Sequence, residues 1–565
     1  MDQSPLKAQL PAFFCTKRDP QKPFFLAFLS PSHYTSCTSS EGGGMINRYR
    51  LLWAGFLAIL AAGLGFAIRG GIFADWSHEF GFSATELGTI GGAGFTGFCF
   101  GIIIGGVLVD KLGYGKLVLA AFVLHIVSAL VTFGASPGMP RAEVYSYLMW
   151  GMFIFAYANG TLEAVANPLV ATLFPEKRTH YLNVLHASWP AGLVLGGVVG
   201  AVLGGTFGWS WKAQLSLYLV PTVLYGVMFF GQRFPRSEAA EDGLSLGEMF
   251  KDVGLLGGAV ACALLVLFFR DHVGMPAYYA YALGAALMLS VGAITSFSLG
   301  HWLLFTLFLS HALVGAVELG TDGWIQNITG NLLTPSAGKW LFVVASLVMF
   351  GLRFCADFIE QRLGLSPLAI LSCSAVIATV GLTLISNATG VSMIVAAVVL
   401  YAVGKTFLWP TMLAVVSDRF PRTGAVAISM MGGIGMMAAG LLGTPGLGYF
   451  KDRYTAEALR QSDVALYEET RASEAKSFLF FDAVVPVDGK KLADALATEN
   501  GARSIAAGKL VDASIRGDRK TLAVDAIIPA VLSVVFVLIM LATRSSGRGE
   551  GIEGGGCVEG ARRAA

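Results

Sequence analysis

The feature that most constrains this chain is a succession of apolar blocks, each close to 20 residues long and nearly free of charge. A helix needs about 20 residues to cross a hydrocarbon layer roughly 30 Å thick, and lipid offers no partner for an unpaired backbone group, so such blocks fold as membrane-spanning helices. They are read near 51–72, 87–109, 117–134, 144–173, 184–206, 213–231, 253–269, 277–299, 302–320, 340–358, 367–385, 391–416, 425–447 and 525–543, fourteen in all. The expected fold class is all-α, a polytopic membrane protein with the lipid bilayer as its first partner. Only 13% of the residues are charged, about half the fraction of a soluble domain.

Several function classes drop out at this stage. A net charge of +2 carries no basic excess to draw nucleic acid. The seven cysteines are scattered singly without a CxxC pair, so they read as small buried hydrophobes, with no disulfide framework, metal set or other cofactor implied. Gly404-Lys405-Thr406 spells the end of a phosphate loop, but Val399 stands where the first glycine is required. Gly134-Ala-Ser136-Pro-Gly138 spells a nucleophile elbow at the end of a membrane span, with no sheet around it. The chain is not expected to be an enzyme.

Basic residues in short loops stay on the cytoplasmic side. With the N-terminus inside, the loops holding Arg48, Lys111, Lys116, Lys177, Arg178, Arg362 and Arg419 face the cytoplasm, and the opposite short loops keep only Arg141, Lys212, Arg270 and Lys339. Both termini are then cytoplasmic and the protein sits in the cytoplasmic (inner) membrane. Residues 1–44 lack the clean apolar core of a signal peptide, and Met45-Ile-Asn-Arg-Tyr-Arg reads as a natural start. The division expected is a six-helix bundle over 45–235, a linker and inserted helix pair over 236–300, five spans over 301–450, an external loop over 451–523, a last helix over 524–545 and a flexible tail over 546–565. Composition favours a partly helical cap within the external loop.

An internal repeat accompanies this division. Gly106-Val-Leu-Val-Asp110-Lys111-Leu-Gly113 ends the second span, and Asp357-Phe-Ile-Glu360-Gln361-Arg362-Leu-Gly364 ends the tenth, each with a basic residue and a glycine at the same offsets. If 253–269 and 277–299 are an inserted pair, each half supplies six helices. Gly106-x-x-x-Asp110-Lys111-x-Gly113-x-x-Lys116 resembles the cytoplasmic signature of the major facilitator superfamily, between its helices 2 and 3, and 357–364 resembles the degenerate copy between helices 8 and 9. Glu163-Ala-Val-Ala-Asn167-Pro168, with Pro175-Glu176 and Leu182-Asn183-x-x-His186, is similar to the helix 4–5 segment of the fucose/proton symporter branch. That branch carries an acid on helix 1, where this chain presents Arg69.

Ionisable side chains at mid-bilayer face a cavity or a partner, which makes them functional candidates. Asn159, Glu163 and Asn167 stand at i, i+4, i+8 on the fourth span, one polar stripe on a helix face. His311, Glu318 and Asp322 lie near one face of helix 7, and Lys405 and Trp409 stand i, i+4 on helix 10. Because the resembled superfamily borders its central cavity with helices 1, 4, 7 and 10, the expected charge pairs are Arg69–Glu163 and Glu318–Lys405. Glu163 and Glu318 are the expected proton carriers. Asn159, Asn167, His186, Trp189, Asp322, Trp324 and Trp409 are the expected substrate contacts. By the same resemblance Asp110, Lys111 and Arg362 act in gating.

These readings converge on a secondary active transporter that moves a small polar solute, sugars favoured, by alternating access with protons as the coupling partner. The alternatives are a sodium-coupled or uncoupled metabolite carrier, and a transport-silent sensor using the 451–523 loop.

Overall fold

The computed structural model describes residues 46–80, 82, 84–235, 243–498 and 504–546. The start expected at Met45, the segment 1–44 and the tail beyond Ser546 lie outside the described residues. The first bundle holds α1 (Arg48–Gly71), α2 (Phe73–Phe80), α3 (Ala84–Leu112), α4 (Tyr114–Gly134), α5 (Arg141–Leu173), α6 (Arg178–Val198), and the broken pair α7 (Trp211–Ser216) and α8 (Leu219–Phe229). A short helix, α9 (Leu246–Lys251), follows. It is closed at its start by Ser245, whose hydroxyl caps the helix while the Glu248 carboxylate accepts the Ser245 N–H at 2.8 Å. The inserted hairpin is α10 (Gly254–Leu267) and α11 (Ala277–Ile294).

The second bundle begins with α12 (Trp302–Gly315) and α13 (Thr321–Leu332), joined by a π-helical turn over Ala316–Gly320. It continues through α14 (Pro335–Arg353), α15 (Ala356–Arg362), α16 (Pro367–Asn387), α17 (Val391–Lys405), α18 (Leu408–Arg419), α19 (Ala425–Ala438) and α20 (Thr444–Ser462). A cap follows, made of α21 (Val464–Thr470), a hairpin of β1 (Lys476–Phe478) and β2 (Phe481–Val484), α22 (Gly489–Ala497) and α23 (Ile505–Asp525), before α24 (Ile527–Ser546).

Eleven of the described helices are long and apolar enough to cross a membrane, or twelve if α14 and α15, bent by 49°, form one span. The other two blocks read as spans correspond to α5 and to α7 with α8. At 33 residues α5 is about 50 Å long, but Asn159, Glu163 and Asn167 dilute its apolarity. The α7–α8 segment is interrupted at Leu217 and Tyr218.

Helix pairing repeats between the bundles. In the first, α1 packs on α6 and α3 on α5; in the second, α12 packs on α19 and α14 on α17. The bundles meet through α3 against α19 and α6 against α14. The α3–α5 contact depends on Gly97, Gly101 and Gly105, as their four-residue spacing suggests: a Cβ at Gly105 would stand 2.8 Å from the Ala164 Cβ, and at Gly97 or Gly101 it would strike the backbone of α5. A second run of glycines at four-residue spacing, Gly196, Gly200 and Gly204 at and beyond the end of α6, packs only in part. Gly196 packs on α1, whereas Gly200 faces open space.

Exposed rows of Leu119, Val123 and Leu130 on α4, and of Val531, Val534, Leu538 and Leu541 on α24, mark lipid-facing surfaces. In contrast, Glu163 and Glu318 are both buried. In the cap, Leu459, Leu466, Tyr467, Val487, Leu510 and Val511 form a separate small core. The loop expected from residue 451 departs from helix only after Ser462, because α20 runs on out of its span, and α23 returns with Ala526 alone between it and α24. The hairpin is the one departure from helix among the named elements, and apolar spacing gave no sign of it.

Candidate functional site

The polar side chains carried by the spans converge where the bundles meet. Arg353, on the last turn of α14, is 2% exposed and reaches three elements. Its Nη2 donates to Glu318 Oε1 at 3.1 Å, its Nε to the Thr406 carbonyl at 3.0 Å, and its Nη1 to the His186 carbonyl of α6. Glu163 lies in the field of the same guanidinium and accepts from Asn167 Nδ2 at 3.5 Å. Asn167 Oδ1 in turn accepts from His186 Nε2 at 2.9 Å. A single cation therefore ties the polar stripe of the first bundle to the acidic turn of the second.

The pairs expected from sequence are not the ones formed. Arg69 does not meet Glu163. Its guanidinium lies 3.7 Å from the centre of the Phe155 ring, and Phe155 precedes Glu163 by eight residues, about 12 Å along α5. The helices are neighbours, but the two groups sit at different heights in the membrane. Nor does Lys405 meet Glu318: it pairs with Asp322 and lies 5.3 Å from the Tyr401 ring centre. The π-helical turn at Ala316–Gly320 adds a residue to the helix and rotates Glu318 out of the register that α periodicity assumes. Glu318 thus turns to Arg353, and its Oε2 is left without a hydrogen bond.

Trp409 is buried against His311, with ring centroids 4.5 Å apart, and neither His311 nitrogen has a hydrogen-bond partner. Trp189 is half-buried against Phe66 at 5.4 Å. Asn159 accepts from His125 Nε2 at 2.7 Å, and His125 also bonds the Tyr225 hydroxyl at 3.0 Å, so this histidine is satisfied. Trp324 stands apart from the cluster. Its indole N–H donates to the Thr444 carbonyl at 2.9 Å on its own side of the molecule, which leaves no donor for a solute. Asn159, Glu163, Asn167, His186, Glu318 and Lys405 are all buried, so the centre is closed to solvent in this conformation.

At the end of the bundles where α3 terminates, Gly106 packs directly on Ser429 of α19, with Asp110 half-buried and Lys111 exposed beside it. Two ion pairs between the bundles are made by residues outside that motif. Lys177 meets Asp357 at 2.8 Å, and Arg178 meets Asp418 at 3.2 Å and donates to the Ser417 carbonyl. The backbone N–H of Asp357 also donates to His180 Nδ1 at 3.3 Å. Arg362, from the same repeat copy as Asp357, is exposed on the outer turn of α15. Two features were missed in the sequence. Arg353 lies inside an apolar block and could have been found by the rule that found Arg69. The Phe-Pro pairs Phe174-Pro175 and Phe420-Pro421 end related helices with nearly the same backbone angles (φ −131°, ψ 56° and φ −130°, ψ 53°), each opening a short 3₁₀ turn.

Comparison with known proteins bears on the fold and the family. The sequence profile described as Major Facilitator Superfamily matches residues 55–444. The L-fucose-proton symporter of Escherichia coli is 31% identical over 121 residues, 21% of this chain and 26% of that protein. The 4-hydroxybenzoate transporter PcaK of Pseudomonas aeruginosa is 29% identical over 195 residues, 34% of this chain and 40% of that protein. The chain thus spans well under half the length of either relative. The crystal structure of the transporter FucP in its outward conformation shares the fold, with a TM-score of 0.52 and 16% identity over 86% of this chain and 98% of that one. A match across most of the spans settles the family: the chain belongs to the Major Facilitator Superfamily, a family of transporters rather than enzymes.

Proposed function

We propose that this protein is a proton-coupled secondary transporter for a small polar, sugar-like solute, working by alternating access, with Glu163 and Glu318 as the proton-carrying groups. The observation that carries this reading is the placement of Arg353 between them. Asp322 is paired with Lys405, so around the Arg353 guanidinium the ionised Glu163 and Glu318 leave one negative charge in excess. One proton cancels it. Uncompensated charge is expensive in a low-dielectric interior, so a proton is the natural companion of the closed state.

Arg353 holds both bundles at once, through the His186 carbonyl and through Glu318. Rocking of the bundles about this point changes which carboxylate it neutralises, and a carboxylate that loses its cation takes up a proton. Asn167, His186, Trp189 and Trp409 supply hydrogen-bonding groups and aromatic faces of the kind a polyhydroxylated solute uses. Two of the matched relatives carry, by name, a sugar and an aromatic acid, so the family alone leaves the solute class to these residues.

The experiment is uptake into proteoliposomes over a panel of sugars and organic acids, with and without an inward proton gradient. Accumulation is expected to collapse with the gradient. Glu163→Gln and Glu318→Gln are each expected to lower gradient-driven accumulation at least about tenfold while equilibrium exchange persists. Accumulation that ignores the gradient defeats the reading.

A further inference from the structure

We propose that Arg69 and Asn159 form an anion-binding subsite inside the first bundle, which takes a carboxylate of the carried solute or a small inorganic anion of the chloride type. Arg69 is 1% exposed, and among the described residues no carboxylate stands within ion-pair distance of it. Its Nη1 reaches only the Gly65 carbonyl, at a long 3.4 Å, while Nε and Nη2 have no acceptor at all. The ring faces of Phe155 at 3.7 Å and Tyr218 at 4.9 Å receive the cation. The Tyr218 hydroxyl lies close to the guanidinium but donates its own proton to the His125 carbonyl at 2.8 Å. A guanidinium does not give up its proton at physiological pH, so it cannot escape burial by neutralising itself.

Asn159, one helical turn beyond Phe155, repeats the pattern. Its Oδ1 is occupied by His125 Nε2 at 2.7 Å, and its Nδ2 has no acceptor. His125, which orients that amide, stacks on the same Phe155 ring with centroids 5.5 Å apart. Two buried side chains, Arg69 on the Phe155 ring and Asn159 one turn along the helix and held by the histidine that stacks on that ring, thus present N–H groups without an acceptor. Cation–π contact recovers part of the cost of the buried charge. The missing member of the set is an anion. Gly65 makes room for the arrangement, since a Cβ there would overlap the Phe155 ring and approach Arg69 Nη1 at 3.1 Å. The subsite lies well along α5 from Glu163 and stands on its donors alone, independent of which group carries protons.

The test uses the full chain in lipid nanodiscs, with a bulky morpholine sulfonate as the balancing anion at constant ionic strength. The midpoint of thermal unfolding is followed while sodium chloride or sodium gluconate, a sugar acid, replaces the sulfonate. A saturable rise of about 2 °C or more is expected with at least one of them, by linkage of binding to folding. A rise with chloride alone identifies an inorganic anion, and a rise with gluconate identifies a carboxylate. Arg69→Gln is expected to abolish the response. Asn159→Asp, which places a fixed carboxylate beside the ring, is expected to raise the anion-free midpoint and remove the response, and it decides the matter should Arg69→Gln fail to fold. No saturable rise with either anion, or an undiminished rise in Arg69→Gln or Asn159→Asp, overturns the proposal.

Discussion

Truncating Arg353 to Met would leave Glu318 buried without its cation and withdraw the field that Glu163 feels. Breaking a buried pair from one side costs about 3–5 kcal/mol, because the partner stays charged and dry. Arg353→Met is therefore expected to lower unfolding stability in detergent by about that amount, and Arg353→Met with Glu318→Gln to recover a good part of it. Denaturant titration monitored by helix content measures both, and equal losses in the single and double variants would show that Glu318 does not depend on the arginine. At this scale sequence reading found most of the charges inside the spans but not their partners. Arg69, Glu163, Glu318, Asp322 and Lys405 announce themselves as charges inside apolar runs. Which one meets which depends on axial height, as Arg69 beside Phe155 shows, and on the extra residue of the Ala316–Gly320 turn. Neither is written in local spacing. Arg353 stands five residues inside the expected edge of its block, where a basic side chain passes for an interfacial anchor.

Between elements, the contacts that close one end of the molecule join α6 and the turn before it to α15 and α18. Lys177–Asp357 and Arg178–Asp418 are partly exposed pairs, each worth about 0.2–1 kcal/mol. Under the proposed alternating access, such small energies suit contacts that open and close in every cycle. Asp357→Ala with Asp418→Ala is expected to raise the labelling rate of a cysteine placed at Asn183, which is buried between α6 and Thr411 of α18, by several-fold in a cysteine-free background. An unchanged rate would place the closure elsewhere. The repeat in the sequence led to this region, yet it singled out Arg362, an exposed member of its copy, rather than Asp357. The offsets of a motif report where a helix ends; they do not report which turn faces the opposite bundle. Helix existence was far more legible, since a lipid-length apolar run leaves the backbone one solution. The helix hardest to recover by hydropathy alone is α5, for the same asparagines and glutamate that line the centre.

Taken whole, the molecule is two related bundles, an inserted hairpin and a cap with a core of its own. The small core of Leu459, Leu466, Val487 and Leu510 is separate from the bundle core, so removing 464–503 takes Leu466 and Val487 away and leaves only Leu459 and Leu510 of the four, on α20 and α23. Replacing residues 464–503 by a short Gly/Ser linker is expected to leave gradient-driven uptake within about twofold of the full chain, and a silent truncated protein would make the cap part of the transport machinery. The cap is also expected to stay docked through the ordinary pH range. Lys509, 2.8 Å away, and the Leu466 N–H hold the Asp463 carboxylate below its usual range. Stability from a depressed carboxylate is present above its unfolded value, about 3.9, and is lost as pH falls through the lower folded value. The contribution of this pair to hydrogen-exchange protection of α21 should therefore hold between pH 8 and pH 5 and be lost only in stronger acid, below about pH 4.

The helical segments over Ala425–Ser462 and Ile505–Thr543 run 38 and 39 residues, from inside the second bundle out to the cap without a flexible joint. Any tilt of that bundle is thereby magnified into a sideways sweep of the outboard domain, as a mast shows the roll of a hull. A dye at Phe480, 85% exposed at the hairpin tip, would signal each stroke of the cycle from the aqueous side, and a binding fragment that lashes the cap to the first bundle would stall it.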